Sequence, residues 1–301
     1  MGPCTLTIVH QIINIFGPTV FVVALGYLLG RVSKASVETL IDVAMFIATP
    51  CLVFSSMLSS IIVLGEAARL WASYFMVLAG TFVVAWLVFG LMKNRRRALY
   101  LPVLFANTIN LPLPIIYLAF GDKGVATAIL LYVPNAFVIY SLGIYMASGH
   151  KELRQGLKAV LRTPLIYAAV LGIVLNVTGV SLPGGVTNAV KLMGQAAVPL
   201  MLLVLGMNIG RFRISQIPLT LTASMIRMGG GFAIALLAAW LLGLTGLPRS
   251  IVLFESAMPS AIFVSVLCTK YDNEAELVAS VVLTTTLISV AVIPALLYYL
   301  V

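Results

Sequence analysis

Charged side chains are scarce in this sequence. They make up 9% of the 301 residues, whereas soluble globular domains carry about 25%. Hydrophobic residues make up 61% and form apolar runs long enough to cross a bilayer as helices, which takes about 20 residues. Lipid leaves helices and closed barrels as the only spanning structures, because it offers backbone groups no water. The sequence therefore excludes a soluble domain and predicts an all-α integral membrane protein.

Cysteine and histidine are too few for several kinds of site. Cys4, Cys51 and Cys268 match neither a disulfide framework nor a metal spacing. His10 and His150 fall in different regions, and no H-E-x-x-H or nucleotide-binding G-x-x-x-x-G-K-[ST] pattern is present. We expect no enzyme, no metal site and no cofactor, and without a nucleotide site any driving force would come from gradients or partners.

The apolar runs predict ten transmembrane helices. Five of them lie in each half of the chain, and an odd number makes the second half enter the membrane from the opposite side. The expected spans are 5–30, 37–59, 69–92, 98–119, 124–147, 164–180, 185–210, 215–242, 249–268 and 276–300.

Basic residues outnumber acidic ones 18 to nine, a balance that in a soluble protein would suggest nucleic acid as a partner. Here thirteen of them fall in loops on one side of the predicted spans and four on the other, and Arg227 lies within span eight. The positive-inside rule makes the rich side cytoplasmic and places both termini outside. We therefore expect the basic clusters to meet lipid headgroups and predict no nucleic-acid partner.

The two halves resemble each other. GPTVFVVALGYLLG (17–30) aligns with TPLIYAAVLGIVLN (163–176), and ETLIDVAMFIATPCL (38–52) aligns with TNAVKLMGQAAVPLM (187–201). Inverted repeats of this kind are frequent in secondary transporters. We divide the chain into a first five-helix repeat (1–148), a linker helix on the cytoplasmic surface (149–163) and a second, inverted repeat (164–301).

Prolines interrupt two predicted spans. Span four contains ANTINLPLPIIYLAFG (106–121), and span nine contains ESAMPSAIFVSVLC (255–268). Because proline lacks an N–H and crowds the carbonyl four residues earlier, Pro112, Pro114 and Pro259 predict helix breaks. Broken helices are tolerated in a membrane where protein or a water-filled cavity satisfies the freed groups. The alternative is that these residues only kink helices or join them by hydrogen bonds.

The two breaks predict a binding site near the middle of the membrane. The half-helices that restart there point their electropositive N-termini at it, which favours an anion. Arg227 and Glu255 either pair to hold two helices together or serve as an anion-binding and a proton-sensitive group. The candidate site residues taken from the sequence pattern are Asn107, Thr108, Asn110, Arg227, Glu255 and Ser260.

Two segments resemble the auxin efflux carrier family. NTINLPLP (107–114) is similar to that family's N-T-x-x-x-G-x-P segment, and the similarity continues through FGDKG. Residues 255–294 resemble its ninth span, the following turn and its tenth span. The resemblance implies a bacterial inner-membrane relative of plant auxin carriers and of malate and malonate permeases. It also implies the fold of bile acid transporters and sodium-proton antiporters, with helices four and nine broken and crossing.

The resemblance further implies a division of labour. Spans 1, 2, 6 and 7 would form a scaffold, and spans 3–5 and 8–10 a transport domain that moves against it as an elevator, in a homodimer. Asn107 and Thr108 would contact substrate, and Met258, Pro259 and Ser260 would form the counterpart in span nine. Pro112 stands where the family usually has glycine, which implies a stiffer backbone and a differently shaped cavity.

These observations predict a secondary transporter for a small organic anion, a mono- or dicarboxylate. The coupling ion stays open between proton, sodium and none, with Glu255 as the candidate proton site and the freed carbonyls as candidate cation ligands. The alternatives are a ligand sensor or a channel built on the same fold.

Overall fold

The computed structural model describes residues 3–33, 36–59, 64–93, 96–148, 164–208 and 215–300. The predicted linker helix at 149–163 lies outside these residues, as does the loop at 209–214 that carries Arg211 and Arg213.

The described residues form helices joined by short connections. We number eleven helical segments in chain order. They are α1 (Pro3–Val32), α2 (Val37–Ser59), α3 (Leu64–Leu91), α4 (Tyr100–Leu104), α5 (Pro112–Ala147), α6 (Pro164–Thr178), α7 (Gly184–Met207), α8 (Ile217–Leu241), α9 (Gly246–Ser256), α10 (Ile262–Lys270) and α11 (Ala275–Leu300).

The predicted all-α membrane protein is confirmed in this coarse form. In the described part of the chain, six segments are long and apolar enough to span a bilayer, namely α2, α3, α5, α7, α8 and α11. Predicted span four is divided between α4 and the start of α5. Span nine is divided between α9 and α10, and neither of these two helices is long enough to span a bilayer alone. Helix α6 has 15 residues. The count of ten spans stays a prediction.

Glycines bring two pairs of helices into backbone contact. In α1, Gly26 faces the backbone of Leu203 in α7, and Gly206 of α7 faces the α1 backbone in turn. In α6, Gly172 lies against Phe54 of α2. Small residues let membrane helices approach closely, which gains van der Waals contact where lipid supplies no hydrophobic driving force.

The remaining long helices surround the breaks. Helix α3 packs against α8, with Gly80 against Ile234, and α9 packs against α5 and α8. A kink divides α5 at Gly121, whose φ of 62° is one that glycine adopts readily because it has no Cβ. Predicted spans four and five therefore meet within α5.

The chain is extended where the two broken helices meet. Between α4 and α5, and again between α9 and α10, it forms an isolated antiparallel bridge that pairs Ala106 with Ser260. The Asn107 N–H donates to the Pro259 carbonyl at 2.7 Å, and the Ala261 N–H donates to the Phe105 carbonyl at 2.9 Å. Each half of the chain thus supplies backbone partners to the other half.

The structure corrects the predicted role of Pro112 and Pro114. Helix α5 begins at Pro112 and contains Pro114 in its first turn, where an N–H has no intrahelical acceptor. Proline is favoured at such positions because its φ is already helical. The break therefore precedes these prolines. Pro259, by contrast, lies inside its break. Phe105 precedes Ala106 in the bridge as Pro259 precedes Ser260, and each of these two carbonyls accepts a hydrogen bond across the bridge. Phe105 therefore takes the position in the first segment that Pro259 takes in the second.

Candidate functional site

Two cavities flank the crossing segments. The asparagine cavity, of about 80 Å³, is bounded by Asn107, Asn110, Tyr132, Tyr140, Met45 and Ile262. The arginine cavity, of about 40 Å³, is bounded by Arg227, Glu255, Ser256, Tyr74 and Ser73. Ala106, Thr108 and Asn135 line both. A buried cavity needs roughly 10–15 Å³ to hold one water, so both can hold several.

An amide of the crossing segment is oriented at the asparagine cavity. The side chain of Asn107 is 6% exposed, and its Oδ1 accepts the Asn110 N–H at 3.0 Å. This local bond closes a turn of the kind that asparagine side chains form with the backbone two or three residues on. It fixes the Asn107 amide without a partner from another helix.

A helix N-terminus also meets the asparagine cavity. Helix α10 begins at Ile262, and no side chain caps it at Ala261. Ala261, Ile262 and Phe263 all line the cavity. The first turn of a helix presents N–H groups without intrahelical acceptors and about half a positive charge. This end of the cavity is suited to an anion.

A chain of hydrogen bonds forms the wall between the two cavities. The Asn135 Nδ2 donates to Thr108 Oγ1 at 3.0 Å, and the Tyr74 hydroxyl donates to Asn135 Oδ1 at 3.3 Å. Our sequence reasoning missed both Asn135 and Tyr74. The sequence does contain a signal for Asn135. Pro134 and Asn135 are adjacent in an apolar span, and proline together with asparagine is also the combination found at the break in residues 107–114.

Arg227 binds the ends of both broken helices. It is 2% exposed, and its Nη1 donates to the carbonyls of Val103 and Leu104 at 3.1 Å each, while its Nη2 donates to that of Ser256 at 2.7 Å. These carbonyls end α4 and α9. Helix C-termini carry partial negative charge, so a cation is favourable there.

Glu255 lies beside Arg227 but is not paired with it. Among the described residues, no ion pair joins the two side chains. Glu255 is 4% exposed, and its Oε1 has no hydrogen-bond partner in the part of the chain that the structure describes. The sequence leaves two roles open for Arg227 and Glu255: an ion pair that holds two helices together, or an anion-binding and a proton-sensitive group. The residues that the structure describes do not contain the ion pair.

Met258 and Ser260 are both buried at the crossing. Met258 is fully buried, and neither residue lines either of the two cavities. The Ser260 hydroxyl donates to the Pro102 carbonyl at 2.6 Å, and its N–H donates to Thr285 Oγ1 at 3.1 Å. The structure therefore brings Asn107, Thr108 and Asn110 together at one cavity, and Thr108, Glu255 and Arg227 at the other.

Short π-helical turns carry several of the lining residues. Met45 lies in the turn at Ala44–Ala48 of α2, Tyr140 in the turn at Ile139–Gly143 of α5, and Arg227 in the turn at Ile226–Gly230 of α8. A π turn inserts a residue into a helix and redirects the side chains beside it, and such turns are frequent at functional sites.

Discontinuous helices that meet around buried polar cavities define a class of helical membrane transporter. Comparison with known families agrees with this class. The chain belongs to the membrane transport protein family, which includes the auxin efflux carriers, and the family model matches residues 7–160 and 150–299.

Known relatives of the chain include two archaeal proteins. It is 28% identical over 287 residues to an uncharacterized transporter of Methanocaldococcus jannaschii, and 27% identical over 287 residues to one of Methanothermobacter thermautotrophicus. Each match covers 90% of this chain and 93% of the relative. A probable auxin efflux carrier component 5b of Oryza sativa is 28% identical over 149 residues, which is 47% of this chain and 40% of that protein.

Proposed function

We propose that the protein is a secondary transporter that carries a small organic anion, a mono- or dicarboxylate, through the membrane by elevator-type alternating access. The observation that carries the proposal is the asparagine cavity at the crossing of the two broken helices. Both halves of the chain contribute to it, the first with Met45, residues 106–110 and four residues between Tyr132 and Tyr140, and the second with residues 261–263.

The chemistry of the asparagine cavity favours a carboxylate. Asn107 and Asn110 supply amide groups, and the uncapped N-terminus of α10 supplies backbone N–H groups. A carboxylate accepts hydrogen bonds at two oxygens and donates none, so it matches these donors. No Lys or Arg of the described residues lines this cavity, so the anion would be held by dipoles that also let it leave.

The helix contacts support two inverted repeats. The sequence alignment places Gly26 opposite Gly172, and it places Phe54 opposite Leu203 because Pro50 is opposite Pro199. The contact of Gly26 with Leu203 is thus the counterpart of the contact of Gly172 with Phe54. The same internal symmetry supports ten spans in the two five-helix repeats.

An elevator requires the site to lie where a fixed scaffold meets a moving domain. In this proposal α1, α2, α6 and α7 form the scaffold, and the other helices form the transport domain. Met45 of α2 lines the asparagine cavity, so the scaffold contributes to its wall. A hydrogen bond at 3.0 Å from the Ser56 hydroxyl of α2 to Asp122 Oδ1 of α5 also crosses this boundary, and movement would break it.

Orientation and assembly belong to the same proposal. The excess of basic residues in one set of loops supports a cytoplasmic location for that set and outer termini. A homodimer is the assembly that the family resemblance implies. Cross-linking in native membranes would show whether two copies associate.

Asn107→Ala should weaken anion binding by about tenfold or more, because a hydrogen bond to a charged group contributes about 1.5–3 kcal/mol. The measurement is thermal stabilisation of the purified protein by each of a panel of mono- and dicarboxylates, followed by uptake of the best ligand into proteoliposomes. Asn188→Ala is the matched control, because Asn188 is exposed on α7 and lines neither cavity.

Three results would contradict the proposal. If the Asn107→Ala variant were stabilised as strongly as the parent, Asn107 would not belong to the site. Binding without any flux would indicate a sensor, and conduction far faster than a carrier, without counterflow, would indicate a channel.

A further inference from the structure

We propose that the arginine cavity is a proton-binding site, that Glu255 is the group that takes up the proton, and that this site couples proton and anion movement in the same direction without sodium. The coupling rests on the proposed transport function, whereas the proton site stands on the geometry of the cavity.

Glu255 has a buried carboxyl oxygen, Oε1, that lacks any hydrogen-bond partner among the described residues. Burying a polar group without a partner costs free energy, so such a group calls for an explanation. The cavity of about 40 Å³ beside it has room for the water that would carry a proton to this oxygen.

Arg227 occupies the place that a sodium ion would need. Half-helix C-termini and unwound carbonyls are the groups that coordinate cations in transporters with broken helices. Here the Val103, Leu104 and Ser256 carbonyls already accept hydrogen bonds from the Arg227 guanidinium. These oxygens are therefore not free to coordinate a sodium ion. A proton needs no such cage, because one carboxyl oxygen binds it.

The two cavities share a wall. Thr108 and Asn135 are hydrogen-bonded to each other and line both cavities. An ionised Glu255 places a negative charge behind this wall and opposes an anion in the asparagine cavity. Protonation removes that charge, so proton and anion bind better together. Linkage is reciprocal, so anion binding must in turn promote proton uptake.

The surroundings of Glu255 contain few other titratable groups. Arg227 from α8 and Tyr74 from α3 line the same cavity, and Tyr132 and Tyr140 from α5 line the neighbouring one. Helix α11 also packs against α9, and its titratable groups lie at its two ends, at Glu276, Tyr298 and Tyr299. Arg249 lies in the first turn of α9, at the opposite end from Glu255. Glu255 is therefore the one carboxyl facing either cavity among the described residues.

The transport step conserves protons. One O–H bond forms at Glu255 when a proton arrives from water on one side of the membrane, and the same bond breaks when the proton leaves to water on the other side. The anion travels in the asparagine cavity during the same passage. No other bond is made or broken.

Infrared spectroscopy of the protein in lipid nanodiscs tests the proton site without any substrate. The parent should show a carboxylic acid C=O band that titrates with pH and is the same in sodium chloride and in choline chloride. Glu255→Gln should lose this band, and Glu276→Gln, which alters an exposed carboxylate, should keep it. A band that persists in E255Q, or one that sodium displaces, would overturn the proposal.

A second variant tests the assignment to Glu255 in case E255Q does not fold. Glu255→Asp keeps a titrating carboxyl on a shorter side chain and should shift the pH at which the band changes. An unchanged titration in E255D would also overturn the assignment to Glu255.

Proteoliposome uptake of malonate, malate and indole-3-acetate, each tested alone, examines the coupling. Binding of a transported anion by the parent should weaken up to about tenfold per pH unit where Glu255 ionises, since one proton is linked. E255Q should bind with no such pH dependence and should not accumulate anion in response to a pH gradient. E276Q should behave as the parent does.

The outcomes separate the two proposals. Transport that responds to sodium, or that ignores pH in the parent, would refute proton coupling and leave the anion transporter standing. A Glu255 band that titrates in a protein that moves none of these anions in any condition would support the proton site and count against the proposed function.

Discussion

Arg227→Met should lower the free energy of unfolding by about 3–5 kcal/mol, because three carbonyls at the ends of α4 and α9 would lose their donor. Methionine has a similar length, so the packing changes little, but it can donate no hydrogen bond. Unpaired carbonyls in the membrane interior are costly, because lipid cannot hydrate them. Thermal unfolding of the detergent-purified variants, followed by tryptophan fluorescence, measures the loss.

Two further variants show whether the carbonyls are the cause. Arg227→Lys keeps the charge but lacks the planar fork that reaches three acceptors, so it should fall between the parent and the methionine variant. Arg249→Met removes a partly exposed arginine that donates to the Tyr299 hydroxyl, and it should cost less than about 1 kcal/mol. Equal unfolding temperatures for Arg227→Met and Arg249→Met would show that Arg227 does not hold the helix ends.

Gly206→Ala should destabilise the protein by about 1–3 kcal/mol through overpacking between α1 and α7. The added Cβ would meet the backbone of Val23 and Tyr27, which cannot rotate away as a side chain does. The two helices would have to separate and lose contact along their length. Thermal unfolding measures the change, and uptake in proteoliposomes shows whether the altered scaffold still supports flux.

Gly90→Ala is the control for this substitution. Gly90 lies in α3, and a Cβ added there would meet no described atom within 4 Å. Alanine at this position should be neutral or stabilising, since it is the better helix former by about 1 kcal/mol. If the Gly206→Ala and Gly90→Ala variants both had the unfolding temperature of the parent, the close approach of α1 and α7 would not limit stability.

Some of this structure follows from local rules that can be applied to the sequence. The scarcity of charge identifies a membrane protein, and the proline and asparagine residues at 107–114 identify a helix interruption, because both effects depend on neighbouring residues alone. The same rules misplaced the break relative to Pro112. Proline disfavours the interior of a helix and favours its first turn, and the residue type alone does not show which case applies.

Other features depend on residues that are distant in the sequence. Arg227 binds carbonyls about 123 residues earlier in the chain. Every residue type has a backbone carbonyl, so the sequence does not show which carbonyls accept these hydrogen bonds. The bond from Asn135 to Thr108 is visible only after α5 folds back on the crossing. The π-helical turn that positions Arg227 also lacks a sequence pattern that we could recognise. The sequence pattern thus proposes a single site, whereas the structure distributes its residues between two separate cavities.

The bridge between Ala106 and Ser260 also bears on how the two halves of the chain depend on each other. Each extended segment finds its main-chain partner in the other half, and the guanidinium that closes the helix end at Val103 and Leu104 in the first half belongs to the second half. Either half on its own would leave those groups without partners in lipid. Neither half is therefore expected to fold in a bilayer in the absence of the other.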